Sequence, residues 1–182
     1  AQEQVANFIN KNEIEVLLVR SATKVRKDII DACPSLKIIG RGGVGMDNID
    51  VVYAKSKGIH IINTPASSSE SVAELVFAHL FTGVRFLHDS NRNMPLEGDT
   101  NFDNLKKAYA NGIELRGKTL GIIGMGRIGI ATARMAVGLG MKVIYSDMDV
   151  PHKDLKIHFF DGQTISISLA SQSLESLFQE SD

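Results

Sequence analysis

The stretch Thr119-Leu120-Gly121-Ile122-Ile123-Gly124-Met125-Gly126-Arg127-Ile128-Gly129 decides how this chain is read. A short branched apolar run, Thr119 to Ile123, predicts a strand. Three glycines at G-x-G-x-x-G spacing follow it. Arg127 to Leu139 then has helical periodicity and ends at Gly140. Met141 to Ser146 predicts a second strand, which ends in an acid, Asp147. A strand, a crossover helix and another strand make a βαβ unit with a parallel sheet.

Three glycines alone are a weak signal, and the context strengthens them. Asp147 lies 18 residues beyond Gly129 (147 − 129), near the spacing of roughly 20 expected for a dinucleotide-binding unit. Gly124 permits a tight turn out of the strand. Gly126, without a Cβ, lets a pyrophosphate approach the backbone, and Gly129 lets the helix pack close to the sheet. The helix start at Arg127 and Ile128 offers free N–H groups and partial positive charge to that phosphate. Asp147 is expected to accept hydrogen bonds from ribose hydroxyls and to repel a 2′-phosphate. Neither Met148 nor Asp149 supplies a cation, so NAD is the expected cofactor rather than NADP.

Working outward toward the N-terminus, the same alternation repeats. Ala1 to Asn12 predicts an amphipathic helix, Ile14 to Val19 a buried strand, and Lys24 to Ala32 a helix stopped near Pro34. Leu36 to Ile39 predicts a strand running into Gly40-Arg41-Gly42-Gly43-Val44-Gly45. Asp47 is expected to cap a helix reaching Lys57, and Ile59 to Ile62 a third strand. The turn Arg41 to Gly45 is either a backbone nest for an anion such as a carboxylate or an ordinary βα loop. Arg20 and Arg41 stand at the ends of predicted parallel strands, where α/β proteins bind ligands. Their planar forks suit carboxylate or phosphate, but an exposed arginine is as often a solvated charge.

Pro65 to Ser69 reads as a hinge, dividing the chain into lobes 1–66 and 67–182. Ser67 with Glu70, and Ser71 with Glu74, have capping-box spacing. The helix beyond is apolar on more than one face and is expected to be buried. Asn91 to Asn111 reads as polar and loop-like with some helix. Ile157 to Phe160 and Thr164 to Leu169 can pair across Asp161-Gly162, followed by a short helix over Ser173 to Glu180.

The 182 residues are 43% hydrophobic and 23% charged, with formal net charge −1. These values describe a globular chain with no general pull toward nucleic acid or membrane. No apolar run approaches the roughly 20 residues that span a bilayer. Cys33, the single cysteine, forms no internal disulfide and fits a reducing, cytoplasmic setting. His60, His79, His88, His152 and His158 show no metal-ligand spacing and no acid–base constellation, and no metal is expected.

Leu18-Val19-Arg20-Ser21-Ala22-Thr23-Lys24-Val25, Gly40 through Asp50, Asn63-Thr64-Pro65, Ser71-Val72-Ala73-Glu74-Leu75 and Leu115 through Gly124 together are very similar to the D-2-hydroxyacid dehydrogenases. The Arg-Ser-Ala-Thr-Lys segment resembles the phosphoglycerate dehydrogenase branch. The resemblance covers about Glu15 to Asp149. It implies an α/β fold of two Rossmann- or flavodoxin-like lobes with parallel sheets, one for substrate and one for NAD, both incomplete in this chain. It further implies that Arg20, Ser21, Arg41, Gly42, Gly43 and Val44 face a small 2-hydroxyacid substrate. Val44 would lie near the nicotinamide, and Gly124, Gly126, Arg127, Ile128, Gly129 and Asp147 would hold the rest of NAD. The family's catalytic histidine, its partner carboxylate and an arginine are expected beyond Asp182, so the chain alone is expected to be inactive. A homodimer, or a tetramer, is the expected assembly. The implied reaction is oxidation of 3-phosphoglycerate in serine biosynthesis. A glyoxylate, hydroxypyruvate or D-lactate type reductase is an alternative within the class, and an NAD-sensing co-repressor one outside it.

Overall fold

A computed structural model describes residues 2–182, with side chains described from Gln4 onward. Ala1, which the reading placed in the first helix, lies outside them. The chain divides into two compact units, residues 1–68 and 69–182.

The first unit alternates α1 (Gln2–Lys11), β1 (Val16–Val19), α2 (Lys27–Ala32), β2 (Ile38–Arg41), α3 (Val51–Ser56) and β3 (His60–Asn63). The strands form one parallel sheet in the order β1-β2-β3, with Val19, Arg41 and Asn63 in register at its C-terminal edge. Ile9, Val25, Ile29, Cys33, Ile39 and Ala54 belong to the core that the helices and strands bury. Burial pushes the Cys33 thiol up from its ordinary value, consistent with a small inert core residue. β1 is not buried on both faces as expected. Val16 and Leu18 stand exposed, as does Ile62 of β3.

Two helices start later than their sequence suggests, for one shared reason. Val25 and Ile49 form a parallel bridge: the Val25 N–H donates to the Asn48 carbonyl (2.8 Å) and the Asp50 N–H to the Val25 carbonyl (2.9 Å). Both segments are held extended there, so α2 begins at Lys27 rather than Lys24 and α3 at Val51. The cap of α3 is Asp50, whose side chain accepts from the Tyr53 N–H, and not Asp47. β2 likewise runs two residues further than expected, through Gly40 and Arg41.

The second unit contains α4 (Ser69–Val84), α5 (Leu87–Glu97), α6 (Phe102–Ala108), β4 (Thr119–Ile123), α7 (Arg127–Gly138), β5 (Lys142–Ser146), β6 (His152–His158), β7 (Thr164–Ala170) and α8 (Leu174–Glu180). β4 and β5 pair in parallel, with Ile123 opposite Ser146. α4 packs on α7, whose Ala133 and Ala136 permit close approach, and Phe77, Met125, Val143, Tyr145 and Leu155 complete the core. The Ser67 hydroxyl donates back to Thr64 instead of capping α4, which begins two residues later. α4 buries Ser69, Ala73 and Phe77 but leaves Leu75 and Val76 exposed, so its apolar surface is covered on one face only.

The stretch read as loop-like, Asn91 to Asn111, is largely helical. α5 and α6 are tied by a Phe86–Tyr109 ring contact and a hydrogen bond from Asn93 Nδ2 to the Tyr109 hydroxyl (2.8 Å). These ties join residues 16 or more apart, which local polarity does not reveal. The hairpin forms across Asp161-Gly162 as expected, with Gly162 at φ 86°. Its first strand, however, runs from His152 to His158, pairing with β7 back to Ala170. Phe160, placed in that strand by the sequence, is fully exposed at the tip.

Candidate functional site

At the end of β4 the chain turns through Gly124 at φ 91°, a conformation L side chains rarely adopt. A Cβ on Gly129 would stand 2.1 Å from the Gly124 carbonyl oxygen, so helix and turn touch backbone to backbone. A Cβ on Gly126 would meet nothing within 4 Å. That glycine answers no packing need of the protein and leaves open space over its backbone. Gly126 is the N-cap of α7, and Arg127 and Ile128 are its first residues. Their N–H groups precede the first possible intrahelical acceptor and so present positive partial charge outward.

Asp147 follows β5 across the same turn. Its Oδ2 accepts from the Met125 N–H (2.6 Å), and its Oδ1 from the N–H groups of Asp149 (2.9 Å) and Val150 (3.1 Å). The Met125 and Asp149 N–H groups hold its carboxyl below the ordinary carboxylate value, so it is ionised at neutral pH. A carboxylate has roughly four acceptor positions. Three are occupied, and the remaining one is on Oδ2. A cavity of about 370 Å³ opens here, lined by Ile123, Gly124, Asp147, Met148 and Leu174 among others. An acid flanked by exposed apolar side chains suits a ribose with a flat base beside it. Met148 and Leu174 line this cavity without belonging to any motif in the sequence, unlike Asp147 and the glycines.

In the first unit, a cavity of about 290 Å³ lies at the C-terminal edge of the three strands, lined by Leu18, Arg20, Arg41, Gly42, Ile62 and Asn63 among others. Arg20, Arg41 and Gly42 are thus brought together. Ser21, Gly43 and Val44 are not among its lining residues. The Arg41 side chain is mostly buried. Its Nη1 donates to Asp47 Oδ1 at 3.0 Å, while its Nε is buried without a partner. A Cβ on Gly45 would come within 2.9 Å of Arg41 Nη1. So the glycine-rich turn first of all makes room for a guanidinium. The Arg41 guanidinium in turn holds the Asp47 carboxyl below its ordinary value.

The expected nest of N–H groups from Gly42 to Val44 is largely engaged elsewhere. The Gly42 N–H donates to the Val19 carbonyl and the Gly43 N–H to the Arg41 carbonyl, both at 3.0 Å. The Val44 carbonyl accepts from Asn63 Nδ2 (2.8 Å). Cationic side chains, rather than that backbone, are what this edge offers an anion. Asn48 supports this edge although it carries no motif of its own. It is buried, and its Nδ2 donates to the carbonyls of Arg20 (3.0 Å) and Thr23 (2.7 Å), fixing the loop that carries Arg20. Among the described residues no cluster of side chains could hold a metal ion, and no helix is long and apolar enough to cross a membrane.

Residues 2–180 match the family described as D-isomer specific 2-hydroxyacid dehydrogenase, catalytic domain. A hydroxypyruvate reductase of Thermotoga maritima is 44% identical over 170 residues, covering 93% of this chain and 50% of that protein. A D-3-phosphoglycerate dehydrogenase of Methanocaldococcus jannaschii is 41% identical over 155 residues, covering 81% of this chain and 28% of that protein. The solved structure of a D-lactate dehydrogenase from Aquifex aeolicus, complexed with NAD and lactic acid, superimposes with a TM-score of 0.67 at 32% identity. It covers 97% of this chain and 48% of that one. The chain therefore spans about half the length of the first of these relatives. It belongs to the D-isomer specific 2-hydroxyacid dehydrogenase family, an oxidoreductase family with an α/β, Rossmann-like fold.

Proposed function

We propose that residues 69–182 hold the adenosine and pyrophosphate parts of NAD, and that residues 1–68 read the anionic end of a small 2-hydroxyacid. The observation that carries this reading is the ionised Asp147 across the turn from Gly126, whose vacant space a phosphate would fill. Arg127 and Ile128 at the head of α7 would bind the pyrophosphate through their N–H groups, and Gly124 and Gly129 hold the turn that aims them. The free acceptor position on Asp147 Oδ2 would take a ribose hydroxyl. A 2′-phosphate there would face a fixed negative charge, which favours NAD over NADP. Held there, NAD would supply the hydride acceptor for oxidation of a C2 alcohol to a ketone, the hydroxyl proton leaving separately.

On the substrate side, Arg20 and Arg41 would pair with carboxylate or phosphate oxygens. Ser21, Gly43 and Val44 would approach from the surrounding loops. None of the 182 residues is assigned to proton transfer at C2. For the whole protein the proposed reaction is oxidation of 3-phosphoglycerate to 3-phosphohydroxypyruvate, supported by the name of the Methanocaldococcus relative. The Thermotoga relative favours a second reading, reduction of hydroxypyruvate. A homodimer and a cytoplasmic setting complete the proposal. Assay of the whole protein separates the two substrates. A preference for 3-phosphoglycerate over glycerate that falls on Arg20→Ala or Arg41→Ala supports the first, and a preference for unphosphorylated hydroxypyruvate supports the second.

A further inference from the structure

Asp147 stands one residue past the end of β5, where a strand would ordinarily lose its partner. β4 lies on one side of it, with the Gly124 N–H donating to the Ser146 carbonyl at 2.8 Å. On the other side β7 has just ended at Ala170, and Tyr145 and Ser171 form an isolated parallel bridge. Beyond that bridge a side chain takes over from backbone. The Asp147 N–H donates to Ser171 Oγ (2.9 Å), and the Ser171 hydroxyl donates to the Asp147 carbonyl (3.1 Å). One hydroxyl thus satisfies both backbone groups of the residue whose carboxylate faces the cavity. The Gln172 N–H donates to the Tyr145 carbonyl (2.8 Å), and the Tyr145 hydroxyl to the Val150 carbonyl (2.9 Å), so both flanks of Asp147 are tied down.

We propose that Ser171 is a positioning residue for Asp147, its hydroxyl standing in for a missing strand partner so that the carboxylate is aimed at the ribose. This rests on the assignment of Asp147 to the cofactor given above. It gives the β6–β7 hairpin a role in binding, because the hairpin delivers Ser171 although neither of its strands reaches the cavity. Alanine removes both hydrogen bonds at once, and threonine keeps the hydroxyl.

The test compares the unsubstituted chain with Ser171→Ala and Ser171→Thr, using two readouts. The first needs no ligand: hydrogen exchange of the Asp147 amide. It is expected to speed up about tenfold or more in Ser171→Ala, as for loss of one buried hydrogen bond, and to return toward the original rate in Ser171→Thr. The second is NMR titration with ADP and with 2′-deoxy-ADP. The unsubstituted chain is expected to prefer ADP, Ser171→Ala to lose most of that preference, and Ser171→Thr to recover it. A merely structural role would weaken both nucleotides equally and leave the ratio unchanged. Unchanged exchange at Asp147, or an undiminished preference for ADP in Ser171→Ala, would overturn the proposal. An unsubstituted chain that binds both nucleotides alike would overturn the ribose assignment instead, while the exchange rates would still decide whether Ser171 clamps Asp147.

Discussion

The two glycine-rich turns of this chain, Gly40 to Gly45 and Gly124 to Gly129, look like variants of one device. Each follows a parallel strand, and each carries an aspartate in its surroundings. The structure gives their glycines opposite uses. In the first turn the missing Cβ of Gly45 is replaced by the chain's own Arg41 guanidinium, and the N–H groups of Gly42 and Gly43 donate internally. In the second, Gly129 is pressed against backbone, but Gly126 faces empty space and a helix N-terminus. At Gly126 open space coincides with a helix N-terminus and a nearby carboxylate, whereas at Gly45 the protein's own guanidinium fills the space. Spacing alone does not distinguish the two cases.

Alanine substitutions can break that comparison. Gly129→Ala has the largest expected effect, a loss of about 3 kcal/mol or more in stability, because its Cβ would sit 2.1 Å from a backbone oxygen that cannot swing away. Thermal or urea unfolding reads this directly. Gly126→Ala is expected to leave stability within about 0.5 kcal/mol, since its φ of −75° suits alanine and no atom obstructs the Cβ. It should instead weaken nucleotide binding about tenfold or more by filling the space over the backbone. Equal destabilisation by the two substitutions would contradict the assignment. Gly45→Ala falls between them, at about 1 kcal/mol, because the atom it meets is the far end of a flexible arginine. It should displace Arg41 from Asp47 without altering nucleotide binding.

The smallest effects concern the two aspartates and acid. Asp47 and Asp147 both have carboxyl pKa values below the ordinary value, Asp47 through Arg41 and Asp147 mainly through the Met125 N–H. A carboxylate whose pKa is depressed on folding stabilises the fold above its unfolded pKa, roughly 4. That contribution is lost as pH falls through the folded value. The stability difference between the unsubstituted chain and Asp147→Asn should therefore be present at neutral pH and shrink below about pH 4. For Asp47→Asn the difference should also fall with added salt, because Asp47 is exposed. A difference that grew on acidification would reverse the sign of both assignments.

The legible parts of this molecule were those with a local cause. The β4–α7–β5 unit could be read because its strands, its glycines and Asp147 all lie within 29 residues (147 − 118). The starts of α2 and α3 could not, because Val25 and Ile49 hold each other extended across 24 residues (49 − 25). Ser171 escaped notice for a similar reason. Nothing in Ala170-Ser171-Gln172 signals that its hydroxyl spans the backbone of a residue 24 positions earlier. The helical hairpin of α5 and α6 depends on Tyr109 meeting Phe86 and Asn93, which polar composition conceals. For Arg41 the residue was identified, yet its burial and its claim on the turn's glycines needed three-dimensional packing.

The measurement that bears most directly on the central claim is calorimetric titration of the chain and of Asp147→Asn with NAD and with NADP. The account predicts that the chain binds NAD more tightly than NADP, and that Asp147→Asn narrows the gap by weakening NAD and relieving the repulsion of the 2′-phosphate. Equal affinity for the two nucleotides, unchanged by the substitution, would contradict it.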